Sequence, residues 1–199
     1  MNIYVINLIH RTDRYQHIQN SFSKYNNIQL HFIEAVKHEN GAIGCFRSHK
    51  KCIQLAKDND MKNIIVIEDD CLPMEQFDTK LTTIKQYLDT HGDWDIFLGA
   101  VNKTRSKHVI NKLYIDDIKL LQVSFGSTAH FIIYNHTSYS FFLECDENNY
   151  VDQCWSGKLK AFTCVPFLAK QINDFSDIEN KKVNYQHTID KTESLLELL

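Results

Sequence analysis

The sequence predicts one α/β domain with a mainly parallel central sheet, and two features of the chain lead to this prediction. Over residues 1–100, short runs of branched apolar residues alternate with longer segments whose apolar positions recur at helical spacing. Such alternation builds parallel sheets covered by helices on both faces. With 199 residues, 43% of them hydrophobic, the chain is long enough to bury one core. We therefore treat residues 1–199 as a single domain.

The elements of the first half follow in alternating order. Strands are expected at residues 3–8, 28–36, 63–67 and 94–98, and helices at residues 11–24, 41–58 and 74–88. The strand at 63–67 is the clearest, because four of its five residues are branched and apolar.

The second half changes character. Residues 101–108 are polar and basic without periodicity, and we interpret them as a mobile loop and a candidate lid. Short strands are expected at residues 109–115, 119–125 and 130–134, a helix at 138–145, and a charged segment at 173–182. The leucine-rich end, residues 194–199, is too short to bind a membrane alone and is expected to pack on the core.

Composition excludes several classes of protein. The 22 basic and 25 acidic residues give a net charge of −3, which argues against a nucleic-acid partner. The apolar run at the start is only about six residues long, short even for a signal peptide, and no run reaches the roughly 20 residues of a membrane span. The six cysteines show neither a CxxC pair nor zinc-ligand spacing. We expect reduced thiols and a cytoplasmic location.

Three consecutive carboxylates carry the strongest chemical signal. In residues 64–70, four branched apolar residues lead into Glu68, Asp69 and Asp70 at the carboxyl end of a predicted strand, where open α/β sheets bind ligands. Adjacent carboxylates repel one another, and a cation relieves that repulsion. Oxygen ligands favour Mg²⁺ or Mn²⁺, and such an ion bridges a diphosphate well. The alternative is a solvated acidic turn.

Two other segments support the interpretation of the acidic cluster as a binding site for a diphosphate. Residues 41–52 place two glycines at a predicted helix start, where backbone amides attract phosphate, although no Walker or GxGxxG pattern is present. A plain amphipathic helix is the alternative there. Asn7 ends the first strand, and Arg11 and Arg14 share a helical face from which they could grip a pyrophosphate. The alternatives are a helix-capping Asn7 and a solvated basic surface.

Four stretches together match a known pattern. Residues 6–14 (INLIHRTDR), 41–49 (GAIGCFRSH), 64–70 (IIVIEDD) and 151–178 occur in the order typical of one family. The chain resembles glycosyltransferase family 25, the lipooligosaccharide-type β-galactosyltransferases of bacteria, which are related to collagen galactosyltransferases.

The resemblance implies a GT-A-type, Rossmann-like fold that binds nucleotide sugars, with a nucleotide-binding half at 1–100 and an acceptor-side half at 101–199. It implies transfer of a hexose, most often galactose, from a UDP-sugar with inversion at the anomeric carbon. The cluster at 68–70 looks like the family's DxD motif, with Glu68 and Asp70 as ligands of Mn²⁺ or Mg²⁺. The implied donor-binding residues are Asn7, Arg11, Arg14, Ser48, Glu68 and Asp69.

An inverting transfer needs a base that deprotonates the acceptor hydroxyl. Asp152 lies where the family places an acidic residue after the GxxA stretch at 126–129, so it is our first choice. Its alternative role is to cap a helix over residues 153–158. Asp95 is the second choice, and its alternative is a turn at a strand end.

The acceptor implied by the resemblance is a glycan or a lipid-linked oligosaccharide, which is compatible with peripheral contact with a membrane. His130 stands where the family pattern has an aromatic residue, and we interpret it as a buried, hydrogen-bonded histidine. Trp155 either stacks on a sugar or belongs to the core. The competing functions are a nucleotide-sugar hydrolase or glycosidase, with two carboxylates as acid and base, and a UDP-sugar-binding module without turnover.

Overall fold

A large central sheet organises the chain, which the computed structural model describes over residues 1–176 and 181–199. The strands within these ranges are β1 Asn2–Asn7, β2 Gln29–Glu34, β3 Asn63–Glu68, β4 Cys71–Pro73, β5 Ile96–Leu98, β6 Val109–Ile115, β7 Ile118–Val123, β8 Phe131–Asn135, β9 Ala161–Val165, β10 Ala169–Gln171, β11 Phe175–Ser176 and β12 Lys181–Lys182. The helices are α1 Thr12–Phe22, α2 Gly41–Asp58, α3 Phe77–His91, α4 His136–Glu144, α5 Val151–Cys154 and α6 Tyr185–Glu197, with a 3-10 helix at Ser106–His108.

Eight strands form the central sheet in the order β2-β1-β3-β8-β5-β9-β7-β6. Strand β1 pairs in parallel with β2 and β3, and β5 pairs in parallel with β9. Strand β8 runs antiparallel between β3 and β5, and β7 runs antiparallel between β9 and β6. Six strands therefore point one way and two the other, which confirms the α/β class with a mainly parallel sheet.

The apolar runs build a core on each face of this sheet. Along β3, Ile64 and Val66 belong to one buried cluster while Ile65 and Ile67 belong to the other, as the alternation of side chains along a strand requires. Helices α2, α4 and α6 contribute to the first cluster, and α1 and α3 to the second. The sheet thus lies between two helical layers.

The predicted helix over residues 74–88 begins later than expected, at Phe77, and continues to His91. The segment before it is occupied by β4, which pairs antiparallel with β10. Residues 101–108 also differ from the expected loop: Asn102 forms a β-bridge with Ser127, Thr104 is buried, and a 3-10 turn follows. This segment is anchored along its length by backbone and side-chain hydrogen bonds.

The end of the chain is more ordered than its composition suggests. Strands β11 and β12 pair within the charged segment, and the leucine-rich end belongs to α6, where Leu196 is fully buried in the core as expected. The last two residues of the 151–178 stretch, Asp177 and Ile178, lie outside the described residues. All six cysteines are free thiols. None of the helices in the described ranges is long and apolar enough to cross a membrane.

Candidate functional site

The acidic cluster lies where the sequence predicts it, at the carboxyl end of β3. Strand β1 is the parallel neighbour of β3, with Ile6 opposite Glu68, so the residues that follow the two strands meet at one edge of the sheet. Asn7 Nδ2 donates to Asp69 Oδ2 at 2.8 Å. Arg11 takes the N-cap position of α1, so the interpretation of Asn7 as the helix cap is wrong.

Arg14 is the cation of this cluster. It is 5% exposed, and its guanidinium lies 3.4 Å from Asp69, 3.6 Å from Asp70 and 2.9 Å from Asp174. Arg11 pairs with Asp174 as well, at 3.2 Å. The alternative of a solvated basic surface is therefore wrong for Arg14, which is buried among three carboxylates.

Glu68 is held by two side chains from α2, one of which is held in turn by a side chain from β8. Cys45 Sγ donates to Glu68 Oε1 at 3.0 Å, and His49 Nε2 lies 3.4 Å from the same oxygen. Tyr134 OH lies 2.8 Å from the other nitrogen of His49, which is fully buried. Burial raises the pKa of Glu68, but the hydrogen bonds from His49 and Cys45 outweigh it and hold that pKa below its usual range.

Asp69 and Asp70 show the opposite shift. Burial raises the pKa of Asp69 to about 6 and that of Asp70 to about 7, and Arg14 only partly counteracts this. Asp70 Oδ2 accepts from Gln171 at 3.1 Å, while Oδ1 is buried without a hydrogen-bond partner among the described residues. An unpartnered carboxylate oxygen beside a second carboxylate suits a hard divalent cation, so the residues present fit Mg²⁺ or Mn²⁺.

A first cavity of about 320 Å³ opens beside the cluster. Its lining includes residues from the end of β1, the loop between β2 and α2, and the cluster, among them His10, Arg14, Lys37, His38, Ser48, Glu68, Asp69 and Asp70. Ser48 Oγ donates to the Gly44 carbonyl and accepts from the Val36 amide, at 2.7 and 2.8 Å. A Cβ on Gly44 would lie 2.6 Å from the Val36 carbonyl, so this close approach of loop and helix requires glycine.

A second cavity, of about 450 Å³, adjoins the first at Glu68. Glu68 and Cys45 line both cavities. The remaining lining comes largely from the second half of the chain and includes Asn102, Lys103, Ser127, Tyr150, Asp152, Gln171 and Tyr185.

Asp152 faces this second cavity from the first turn of α5. Ser127 Oγ donates to Asp152 Oδ2 at 2.6 Å. Burial raises the pKa of Asp152 and the Ser127 hydrogen bond opposes the rise, while the nearby charge of Glu68 adds to it. The N-cap of α5 is Tyr150 and the helix ends at Cys154, so Asp152 is not a cap and the expected helix over residues 153–158 is wrong.

Asp95 is excluded as the base by its position. Strands β3 and β5 run in the same direction because both are antiparallel to β8, so Asp95, which precedes β5, lies at the edge opposite to Glu68. Its carboxylate accepts from the Thr137 hydroxyl and the Lys160 amide, as in the strand-end turn that was its alternative.

Two other candidates for the acceptor region belong to the core. Trp155 is fully buried, so its alternative as a core residue is confirmed and it offers no stacking surface. His130 is also fully buried, and its Nε2 lies 3.1 Å from the Ala169 carbonyl. The interpretation of His130 as a buried, hydrogen-bonded histidine is confirmed.

The residues Arg47, Lys50 and Lys51 on α2 do not line the first cavity. Arg47 and Lys50 pair with Glu147, and Lys51 bonds to the Glu34 carbonyl. Lys37 and His38, from the loop after β2, line the cavity instead. Neither residue was predicted to belong to the site, although both follow the carboxyl end of a predicted strand, where ligands of α/β sheets bind, as Glu68 does.

Among solved structures, A197 from STIV is 12% identical over 92% of both chains with a TM-score of 0.49. An apo UDP-glucose pyrophosphorylase is 9% identical, covering 99% of this chain and 81% of its own, with a TM-score of 0.47. HddC from Yersinia pseudotuberculosis, complexed with GMP-PN, is 12% identical, covering 96% of this chain and 99% of its own, with a TM-score of 0.37.

Identities this low say nothing about activity, and no curated protein matches the chain. The model of glycosyltransferase family 25 (LPS biosynthesis protein) matches residues 39–159. That match covers more than half of the chain and contains both the start of α2 and the acidic cluster, with Asp152 near its end. The chain therefore belongs to glycosyltransferase family 25.

Proposed function

We propose that this glycosyltransferase is metal-dependent and inverting, and that it moves a hexose, galactose foremost, from a UDP-sugar to a hydroxyl of a glycan acceptor. One observation carries the proposal: Glu68 forms a wall shared by two cavities, with the acidic cluster on one side and Asp152 on the other. A donor and an acceptor held in these cavities would meet at that wall.

The first cavity is the proposed donor site. Arg14 lies at the cluster and supplies positive charge for the diphosphate, and Arg11 shares its partner Asp174. Asn7 orients the Asp69 carboxylate, and Ser48 fixes the loop that carries Lys37 and His38. Residues 1–100 thus form the proposed nucleotide-binding half of a GT-A-type fold.

Glu68 and Asp70 are the proposed ligands of Mn²⁺ or Mg²⁺. The bound ion would stabilise the negative charge that develops on the leaving diphosphate. Arg14 adds a fixed positive charge beside both carboxylates, and the Gln171 amide orients Asp70 through its second oxygen. Burial of this site strengthens each of these electrostatic interactions.

Asp152 is the proposed base in the second cavity. The acceptor oxygen attacks the anomeric carbon while its proton passes to the Asp152 carboxylate, and the donor's carbon–oxygen bond breaks with its electron pair leaving on UDP. Attack from the face opposite the leaving group inverts the anomeric carbon, which suits a base in one cavity and a diphosphate in the other. The Ser127 hydroxyl holds the carboxylate in place.

The proposed acceptor is a glycan or a lipid-linked oligosaccharide, bound by the half at 101–199 at the cytoplasmic side of a membrane. Tyr150, which is 52% exposed, lines the second cavity and offers an aromatic face to a sugar ring. The six free thiols are consistent with a reducing compartment.

Calorimetric titration with UDP tests the donor site, first with Mn²⁺ and then with EDTA. We expect binding that requires the ion in the wild type and is lost in Asp70→Asn. Asp117→Asn, which alters an exposed carboxylate far along the chain, is the matched control and should bind as the wild type does. UDP binding of equal strength in EDTA would overturn the metal-dependent proposal.

Product analysis separates transfer from the competing reactions. With UDP-galactose and a panel of glycan acceptors, we expect a new glycoside of inverted configuration by NMR. Release of free sugar at the same rate with and without acceptor would indicate a hydrolase instead. Metal-dependent UDP binding without any turnover would indicate a binding module.

A further inference from the structure

Three different kinds of ligand atom converge at the wall between the two cavities. Cys45 Sγ, His49 Nε2 and a Glu68 carboxylate oxygen all lie within 4.8 Å of one another. Cys45 and His49 are four residues apart on α2 and so share one face of that helix, while Glu68 comes from the end of β3. This group differs from the hard, all-oxygen set formed by Glu68 and Asp70, because it contains a thiol and an imidazole.

The distances fit a tetrahedral site. Zinc binds sulfur at about 2.3 Å and imidazole nitrogen or carboxylate oxygen at about 2.0–2.2 Å, which places neighbouring ligand atoms roughly 3.3–3.6 Å apart. Here Sγ and Oε1 are 3.0 Å apart, and Nε2 and Oε1 are 3.4 Å apart. Opening the first distance by about half an ångström brings that pair to the tetrahedral value, and Sγ and Nε2 lie within 4.8 Å of each other.

The surroundings of His49 also match those of a metal ligand. Its Nδ1 lies 2.8 Å from the Tyr134 hydroxyl, and His49 and Tyr134 are both fully buried. Ligating histidines commonly bond their second nitrogen to such a partner, which fixes the ring and directs the other nitrogen at the ion. Tyr134 therefore holds Nε2 toward Glu68.

We propose that Cys45, His49 and Glu68 form a three-ligand site for Zn²⁺, with the fourth position open to the cavities. Thiolate and imidazole select Zn²⁺ over Mn²⁺ or Mg²⁺. When the ion binds, the thiol proton is released to solvent and the thiolate becomes the ligand. Because Cys45 and Glu68 line both cavities, the fourth position is accessible to water or to a ligand atom.

This site has a consequence that rests on the proposed function. Glu68 belongs to both proposed ligand sets, the one with Asp70 and the one with Cys45 and His49, so the two ions compete for its carboxylate. Zn²⁺ bound through Cys45 withdraws Glu68 from the donor site. We therefore expect Zn²⁺ to inhibit the Mn²⁺-supported transfer reaction.

Cobalt substitution tests the site without any substrate. Co²⁺ replaces Zn²⁺ and, when bound by a thiolate in a tetrahedral site, shows a near-ultraviolet thiolate-to-metal band and strong visible bands. We expect these bands in the wild-type chain and in Cys145→Ser, whose half-buried thiol lies outside the group. They should disappear in Cys45→Ser, a substitution of nearly equal size, with folding checked by circular dichroism.

Absence of the thiolate band in the wild type would overturn the proposal, whatever the variants do, and so would an unchanged band in Cys45→Ser. Tyr134→Phe should keep the band and weaken Zn²⁺ binding by roughly 10- to 100-fold, as loss of a ligand-orienting hydrogen bond does elsewhere. Asp70→Asn distinguishes the proposed Zn²⁺ site from the all-oxygen site. This variant should retain the cobalt–thiolate band while losing Mn²⁺-dependent UDP binding.

Discussion

Three consecutive carboxylates acquire three different characters because their partners differ. Glu68 accepts from a thiol and an imidazole, and its pKa falls. Asp69 accepts from Asn7, while Asp70 accepts only from Gln171 through one oxygen and leaves the other unpartnered among the described residues. For Asp69 and Asp70, burial destabilises the charged carboxylate more than the partners stabilise it, so the pKa values of both rise.

This imbalance makes the metal-free protein sensitive to pH at Asp70. The pKa of Asp70 rises from 3.8 to about 7, so its contribution to stability is fully present below about pH 4 and is lost as the pH rises through about 7. At pH 8 in EDTA, Asp70→Asn should unfold at a higher temperature than the wild type. Since 16% of the side chain remains exposed, we expect a gain on the order of 1–2 kcal/mol.

Thermal unfolding at two pH values, with and without Mn²⁺, checks this expectation. At pH 4 the gain should vanish, because the wild-type carboxyl is already protonated. At pH 8 with Mn²⁺ the order should reverse, since the ion stabilises only the protein that holds both of its ligands. A variant that is less stable than the wild type at pH 8 in EDTA would contradict the account of Asp70.

The raised pKa of Asp152 predicts the acid limb of the rate profile. A base must be deprotonated, so kcat/KM should fall as the pH drops through a value above that of an ordinary carboxyl. The Ser127 hydrogen bond favours the charged form, so Ser127→Ala should move this limb upward by about one pH unit. Ser124→Ala, whose hydroxyl bonds to the His108 carbonyl instead, should leave it in place.

Residue identity located the acidic cluster together with Asn7 and Arg14, but not the contacts of the cluster with Cys45 and Gln171. The position of Glu68, Asp69 and Asp70 follows from one local rule, that polar residues after a buried parallel strand reach the ligand edge. The contacts with Cys45 and Gln171 bring together residues 23 and 101 positions away from their partners in the chain. The spacing of residues along the chain carries no information about such contacts, which depend on how distant elements pack against one another.

Helix α6 braces the site from the far end of the chain. Lys170 on β10 pairs with Asp190 at 2.7 Å and with Glu193 at 2.5 Å, and Glu193 also accepts from the Phe167 amide. Strand β10 in turn pairs with β4, the strand that begins directly after Asp70. The helix therefore helps to hold Gln171, at the end of β10, against the cluster.

Removing one carboxylate should loosen this brace. In Glu193→Ala the Phe167 amide loses its acceptor and Lys170 loses one of its two ion pairs, so we expect a loss of about 2 kcal/mol. For a chain of this length that corresponds to a fall in Tm of roughly 4–8 °C. Glu197→Ala, at an exposed position on the same helix, should stay within about 0.5 kcal/mol of the wild type, and an equal fall there would contradict the role of Glu193.

The long periodic elements follow from sequence and the short ones do not. Helix α2 and strand β3 were expected almost at their observed bounds, because each has a strong apolar pattern of its own. Strands β4 and β10 have three residues each and exist only because they pair with one another. The pattern for α6 was present in the N-cap Asn184 and in Ile189 and Leu196, seven residues apart, but one Thr and three charged residues between Ile189 and Leu196 weakened it.

The middle of the sheet should be the most stable part of the fold. Strand β8 is buried along all five residues and is paired on both sides, whereas β6 has a neighbour on one side only. Amide hydrogen exchange should therefore be slowest in β8 and β3 and clearly faster in β6 and in the β11–β12 pair. Exchange in β8 as fast as in β6 would show that the sheet does not open from its edges.

The same strand order also bears on synthesis of the chain at the ribosome. Strand β3 is complete 63 residues before Phe131 begins its antiparallel partner β8. At about 5–20 residues per second, the apolar edge of β3 waits for roughly 3–13 seconds with β1 alone beside it. During that interval the nascent first half presents an open strand edge of the kind that chaperones protect, and the chain reaches its final sheet only after its second half has emerged.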